Sequence, residues 1–328
     1  KVSDPELIAI MFMRRGPMFV RQLNGDFSLF IWRPARREGY LFRDHAGIRP
    51  MAYIIERQTL IFSSDITGLC RAFSEGRPID KDFLAGPFKF TDRRKAPDTR
   101  VKKLLHGHFL HFYESGIEIT RYWRPENIRT DKNLSHERML SDLKSIVTDA
   151  VRIRCDSRFI AGAHVSGGLD SGIVSVLARG VYTPQERFYG FSWTPAQYLS
   201  GDVMYDERET IIKSCETADI IPVLSEMTPA DFCISTGSFY NNLGLFSEDS
   251  TIRQATDLKT NLIFSGWGGD EFISTADRGI EQDLLRTLKL RTFFRRNPLR
   301  HPKKFIRDQL IYVIYPALGI IDRRTAKS

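Results

Sequence analysis

The run Val165-Ser166-Gly167-Gly168-Leu169-Asp170-Ser171 limits the fold of this chain more than any other stretch. Phe159 to Val165 reads as a buried strand, and Gly172 to Arg179 reads as a helix. A strand that passes into a helix through serine and glycine is the opening unit of a parallel α/β sheet. Small residues at such a turn let backbone N–H groups and a helix N-terminus close around an anion, phosphate above all. The single acid in the turn, Asp170, suits a magnesium ion that accompanies a nucleotide.

A second turn of the same kind follows a later strand. Asn261 to Ser265 reads as that strand, and Ser265-Gly266-Trp267-Gly268-Gly269-Asp270-Glu271 as the turn. Between the two turns lie a strand at Phe188 to Trp193, a helix near Glu207 to Cys215 and a strand at Ile220 to Leu224. Alternation of strand and helix implies a parallel sheet with helices on both faces, which binds ligands at the carboxyl ends of its strands. Both glycine-rich turns sit at carboxyl ends. Acids beside phosphate make sense only with a cation between them, so a magnesium shared by Asp170 and Asp270 is expected.

The chain has 328 residues, enough for two domains. The first 125 residues read differently from the rest. After a helix at Pro5 to Arg14, short strands at Phe27 to Trp32, Gly39 to Arg43, Met51 to Ile55 and Thr59 to Ser63 are split by turn residues. His108 to Tyr113 and Ile117 to Tyr122 read as a hairpin. The polar stretch Pro125 to Asn133 marks the domain boundary, giving domains at 1–125 and 133–328. Ser135 then caps a helix in which Met139, Leu140, Leu143, Ile146, Val147, Ala150 and Val151 share one face.

With 42% hydrophobic and 27% charged residues the composition is globular, and no apolar run reaches the length of a membrane span. Cys70, Cys155, Cys215 and Cys233 show no paired spacing, which argues against a zinc knot or a disulfide framework and for a reducing cytoplasm. The net charge of +8 is uneven: residues 286–328 carry twelve Lys or Arg against Asp308 and Asp322. This segment reads first as a solvated helical face. Nucleic acid, an acidic membrane surface or an acidic peptide is the competing partner.

The wording S-G-G-L-D-S resembles the pyrophosphate loop of N-type ATP pyrophosphatases. Together with S-G-W-G-G-D-E about a hundred residues later, and Tyr205-Asp206-Glu207 between them, it is similar to the synthetase domain of the asparagine synthetase family. Leu23-Asn24-Gly25-Asp26-Phe27, Arg43-Asp44-His45-Ala46-Gly47-Ile48-Arg49-Pro50, Phe62-Ser63-Ser64-Asp65-Ile66 and Leu105-His106-Gly107-His108 resemble the later part of a class II glutamine amidotransferase domain. The resemblance implies an Ntn-type, β-rich α+β domain followed by a doubly wound, adenine nucleotide α-hydrolase-like domain. It implies ATP and Mg2+, with a carboxylate adenylated by ATP and then attacked by ammonia or another amine. Ser166, Gly167, Gly168 and Ser171 would hold pyrophosphate, and Asp170 and Asp270 magnesium. Ser265, Gly266, Gly268 and Gly269 would complete the nucleotide site, with Val165 and Ser192 beside the adenosine. Asp4, in a Ser3-Asp4 pair, would hold the amino group of glutamine.

Three departures qualify this. The chain begins with Lys1 rather than Met, and the family's N-terminal cysteine nucleophile precedes anything matched here. Cys70 cannot replace it, because the free α-amine of residue one is the base. The chain as given is therefore expected not to hydrolyse glutamine. Trp267 stands where asparagine synthetases carry a glutamate that helps the amine step. It either packs the loop or offers an aromatic face to a larger or cationic group; both readings put asparagine as product in doubt and bring in lasso-peptide macrolactam synthetases as relatives. A lysine that neutralises the phosphates in the family has only Lys289, Lys303 and Lys304 as candidates. A tRNA-modifying pyrophosphatase and a non-catalytic relative stay open as rival readings, and so does the oligomeric state, a homodimer included.

Overall fold

The structure, a computed structural model, describes residues 2–56, 58–72, 78–84, 94–129, 131, 133–197, 206–228, 230–231, 233, 246–269, 280, 284–285 and 287–296. By backbone contacts the chain divides into two compact units, Lys1–Thr130 together with Glu281–Ser328, and Asp131–Ile280. Among the described residues no helix is long and apolar enough to cross a membrane.

In the first unit, helix α1 (Asp4–Arg15) starts where the Ser3 N–H and hydroxyl both donate to the Glu6 carboxylate, at 2.9 and 2.8 Å, with Pro5 in the first turn. The strands are β1 (Ser28–Arg33), β2 (Glu38–Arg43), β3 (Ala52–Glu56), β4 (Thr59–Ser63), β5 (Lys102–Lys103), β6 (His108–Tyr113) and β7 (Gly116–Arg121), with the short helices α2 (Ile66–Ala72) and α3 (Lys81–Leu84) between β4 and β5. They form two antiparallel sheets, in the orders β1-β2-β6-β7 and β4-β3-β5.

Strand alternation sorts the core into layers. Tyr40 and Phe42 of β2, with Phe109 of β6, pack on Phe12 and Phe19 beneath α1. Leu41 and Leu110, on the other face, meet Met51, Tyr53 and Leu104 at the second sheet. Ala52 and Ile54 turn away from that interface towards Leu69 of α2. The order is helix, sheet, sheet, helix, and both sheets are apolar on both faces. The sequence reading places these strands within a residue or two of their observed bounds; α2, α3 and the two-residue β5 escape it.

The corner after β2 is built on one carboxylate. Asp44, 1% exposed, accepts from the N–H groups of Gly47, Ile48 and Arg49 at 2.6, 3.0 and 2.9 Å. Arg43 beside it donates to the carbonyls of Gly47, Arg49 and Leu104, and the Tyr122 hydroxyl donates to the Arg43 carbonyl. The matched Arg43–Pro50 wording is thus the hydrogen-bonding frame of a turn.

In the second unit, Ser135 caps α4 (His136–Arg152) by accepting from the Arg138 N–H. Strands β8 (Ala161–His164), β9 (Phe188–Pro195), β10 (Ile221–Ser225) and β11 (Leu262–Phe264) form an all-parallel sheet in the order β10-β9-β8-β11. Its crossovers are α5 (Leu169–Arg179), α6 (Arg208–Thr217) and α7 (Phe246–Asp257); α8 (Leu290–Arg296), the last described helix of the chain, belongs to the first unit. On one sheet face Ala161, Ala163, Phe188 and Phe264 pack with Val151 of α4, Ala178 of α5 and Ile211 and Cys215 of α6. On the other, Tyr189 and Phe191 pack with Ala255 of α7. The sheet is doubly wound, as the alternation of strand and helix predicts. Arg179, buried at the end of α5, ties that helix to the turn after α6 through the Asp219 carbonyl and carboxylate.

The apolar face of α4 behaves otherwise than its period suggests. Val151 is buried, but Met139, Leu140, Leu143 and Ile146 are exposed. Leu140, Leu143 and Val147 line an apolar cavity of about 770 Å³ with residues of α5 and α6.

Replacing Asp44 with alanine leaves three N–H groups without their acceptor. We expect a loss of roughly 2–4 kcal/mol, read from the urea midpoint. His45 lies edge-on to Phe27, Tyr122 and Trp123, and burial holds its pKa below the ordinary value; burial does the same to His108. Folded-state pKa values lowered in this way give stability that is present above the unfolded pKa, near 6.5, and lost as the pH falls through the folded values. The urea midpoint should therefore drop between about pH 7.5 and 5.5, and H45F should lessen the drop.

Candidate active site

The strand order decides where this sheet binds. The chain runs outward from β8 through β9 to β10, then returns to β8's other side for β11. The crevice between the carboxyl ends of β8 and β11 is therefore the topological switch point, where open α/β sheets take their ligands. Both glycine-rich turns emerge there, one from each of these strands.

The first turn is held by its own serines. The Ser166 and Ser171 hydroxyls lie 2.7 Å apart, the Ser166 N–H donates to the Ser171 hydroxyl, and the Gly168 N–H donates to the Ser166 hydroxyl. Gly168 is the N-cap of α5 and supplies no side-chain acceptor to the first turn. The first N–H groups of the helix thus remain available to an anion. Asp170 sits in that first turn, where the helix dipole favours a carboxylate.

The second turn lies directly on the first. A Cβ on Gly266 would stand 2.6 Å from the Ser171 backbone nitrogen and 2.8 Å from the Asp170 carbonyl carbon. A Cβ on Gly269 would overlap the Asp170 carboxylate. Backbone can approach this closely only without side chains. Ser265 fixes the turn from within, its hydroxyl accepting from the Trp267 N–H at 3.1 Å.

Between the turns and β9 opens a cavity of about 580 Å³. Of the residues singled out in the sequence, Val165, Ser166, Gly168, Asp170, Ser171, Ser192, Ser265, Gly266, Trp267 and Gly268 line it. Val165 and Ser192 are buried, and Trp267 is 60% exposed. Gly167 lies on the loop's other side, lining the apolar cavity beside α4. Gly269 lies against Asp170. Asp270, Glu271, Tyr205, Lys303 and Lys304 fall outside the described residues. Asp4 opens α1 of the first unit and is exposed.

Four residues not singled out belong to the same cavity or its wall. Glu207, the N-cap of α6, lines it and sets its carboxylate against Gly167. His164 and Trp193 line it too, and Glu248 of α7 stands behind them. Glu207 carried a signal, the Tyr205-Asp206-Glu207 wording. The other three carried none, since a lone histidine or tryptophan in an apolar strand reads as core.

Comparison with known proteins agrees with this architecture. The asparagine synthase family matches residues 142–310, more than half of the chain. The chain belongs to that family. A glutamine amidotransferase domain matches residues 1–123. Among curated members of the family, glutamine-hydrolyzing asparagine synthetase 3 of Bacillus subtilis is 25% identical over 70% of this chain and 37% of its own length. The bovine glutamine-hydrolyzing asparagine synthetase is 25% identical over 82% of this chain and 49% of its own. A fungal relative, amidase chry2 of Gibberella zeae, is 24% identical over 67% of this chain and 34% of its own. The chain spans between about a third and a half of the length of these relatives.

The close approach of the two turns has a direct test. G266A forces them apart, and we expect MgATP affinity to fall about tenfold or more by titration calorimetry, with the far-ultraviolet circular dichroism unchanged.

Proposed function

We propose that this chain carries the adenylating site of an ATP-dependent ligase that joins a carboxylate to an amine through an amide bond. The observation that supports it best is the meeting of two glycine-rich turns at one switch-point cavity, with Asp170 between them. Family membership supplies the prior for ATP.

In this reading the N–H groups in the first turn of α5, with the Ser166 and Ser171 hydroxyls, hold the β- and γ-phosphates. Residues 268–269 face the same phosphates. Val165 and Ser192 flank the adenosine. A carboxylate oxygen of the substrate attacks the α-phosphorus, the bond to the β-phosphate oxygen breaks, and pyrophosphate leaves. The amine then attacks the acyl carbon and AMP departs.

Magnesium fits the donors present. Asp170 shares its cavity with the phosphate-binding N–H groups, and a carboxylate beside phosphate repels it unless a divalent cation intervenes. Among the described residues no three acidic, His or Cys side chains gather to hold a metal alone, so the ion would share its ligands with the nucleotide. When bound, it offsets charge on the departing pyrophosphate. Asp170 would hold it, and Asp270, next to Gly269 in sequence, is assigned beside it.

The acid is aspartate or the Asp or Glu side chain of a peptide, and the amine is ammonia or a peptide N-terminus. The match to a glutamine amidotransferase domain favours ammonia drawn from glutamine as the amine. ATP–pyrophosphate exchange tests the reading, first with aspartate and then with acidic peptides. We expect exchange with at least one, and D170N to lower it by about two orders of magnitude. No exchange with any acid would leave a family member that binds without catalysis.

A further inference from the structure

His164 ends β8 and, by strand alternation, turns to the sheet face covered by α7, opposite Val165. It lines the cavity, yet its side chain is only 16% exposed. Both ring nitrogens are buried and make no hydrogen bond among the described residues. Buried polar groups are almost always paired, and an unpaired one points to a ligand or a catalytic role. Its nearest charged neighbour is Glu248: Nε2 lies 3.3 Å from Oε1, an ion-pair distance once the ring is protonated, though out of line for a hydrogen bond. The carboxylate is fixed from its other oxygen, which accepts from Trp193 Nε1 at 3.2 Å. The Trp193 ring lies 5.5 Å from the imidazole and meets Trp267 edge-on at 6.2 Å.

An amine that adds to an acyl carbon gains a positive charge and must shed a proton for the amide to persist. Among the described residues, Asp170 and Glu207 are the other ionisable groups that line this cavity. Asp170 of α5 lies against Gly269, and Glu207 of α6 lies against Gly167 on the phosphate loop. Among the described residues, those of β9 and of the second turn that line the cavity carry no ionisable group.

We infer that His164, positioned by Glu248, accepts the proton of the attacking amine, and that Trp193 and Trp267 form the wall against which that amine docks. The inference rests on the ligase reading above. The amine lone pair forms the C–N bond, and the bond from the acyl carbon to the AMP phosphate oxygen breaks with its electrons on that oxygen. The N–H proton passes to the imidazole. Glu248 stabilises the imidazolium, and the two indole faces suit an amine that arrives partly cationic.

The test separates the two half reactions in the full chain, with aspartate as acid and acidic peptides as second probes. Adenylation is read by ATP–pyrophosphate exchange, and transfer by amide formation with ammonia or with hydroxylamine, which is largely unprotonated near neutral pH. In H164Q the ratio of ammonia transfer to exchange should fall about 100-fold, and the ratio for hydroxylamine less than about tenfold. The acid limb of the transfer rate should vanish in H164Q and move to lower pH in E248Q, where the imidazolium loses its partner. Equal loss of exchange and transfer, with either amine, would place His164 in the nucleotide site and overturn the inference. Unchanged ammonia transfer would overturn it as well. If the unsubstituted chain shows no exchange with any acid, the ligase reading fails first and takes this inference with it.

Discussion

Two hydrogens in place of two methyl groups hold this site together. Gly266 and Gly269 let the turn after β11 rest on the backbone and carboxylate at the start of α5. A larger residue at Gly266 drives the turns apart, because what it meets is helix backbone; at Gly269 it meets the Asp170 side chain and must displace the carboxylate. The pairing of β8 with β11, Ala161 against Leu262 through Ala163 against Phe264, sets the distance the glycines close. Sheet register, glycine and acid thus form one geometric unit, and the cavity is its open side.

A single strand end divides the chemistry. Val165 and His164 are neighbours in sequence but face opposite sides of the sheet, so β8 leads into the phosphate loop and also presents an imidazole to the cavity. The α4–α6 face gives the anion-binding helix start; the α7 face gives Glu248 and, through it, a fixed Trp193. In the proposed reaction this arrangement would let one cavity hold a polyanion and a nascent cation without placing their partners side by side.

Much of this was legible in the residues, and the remainder failed for physical reasons. The strand–turn–helix units were readable because serine, glycine and aspartate in that order serve few other purposes, and the doubly wound sheet followed from alternating periods. Helix α7 was not readable: Phe246–Asp257 is polar, and it buries Ser250, Thr251 and Ala255 rather than an apolar stripe. His164 was passed over because its meaning depends on Glu248, which only the fold brings near. For α4 the period gave the right face and hid its fate, since spacing shows which residues lie together and not whether anything covers them.

The strand order has a consequence for how the site comes into being. β11 must find β8 across about a hundred residues, while β9 and β10 join by shorter crossovers. Long-range parallel pairings close late, after local contacts have repaid part of the loop entropy. The cavity therefore exists only once β11 has docked, and the proposed nucleotide has nothing to grip in any species that precedes it. Its binding energy then falls on that last docking step, so ligand and chain closure stabilise each other through the same contact.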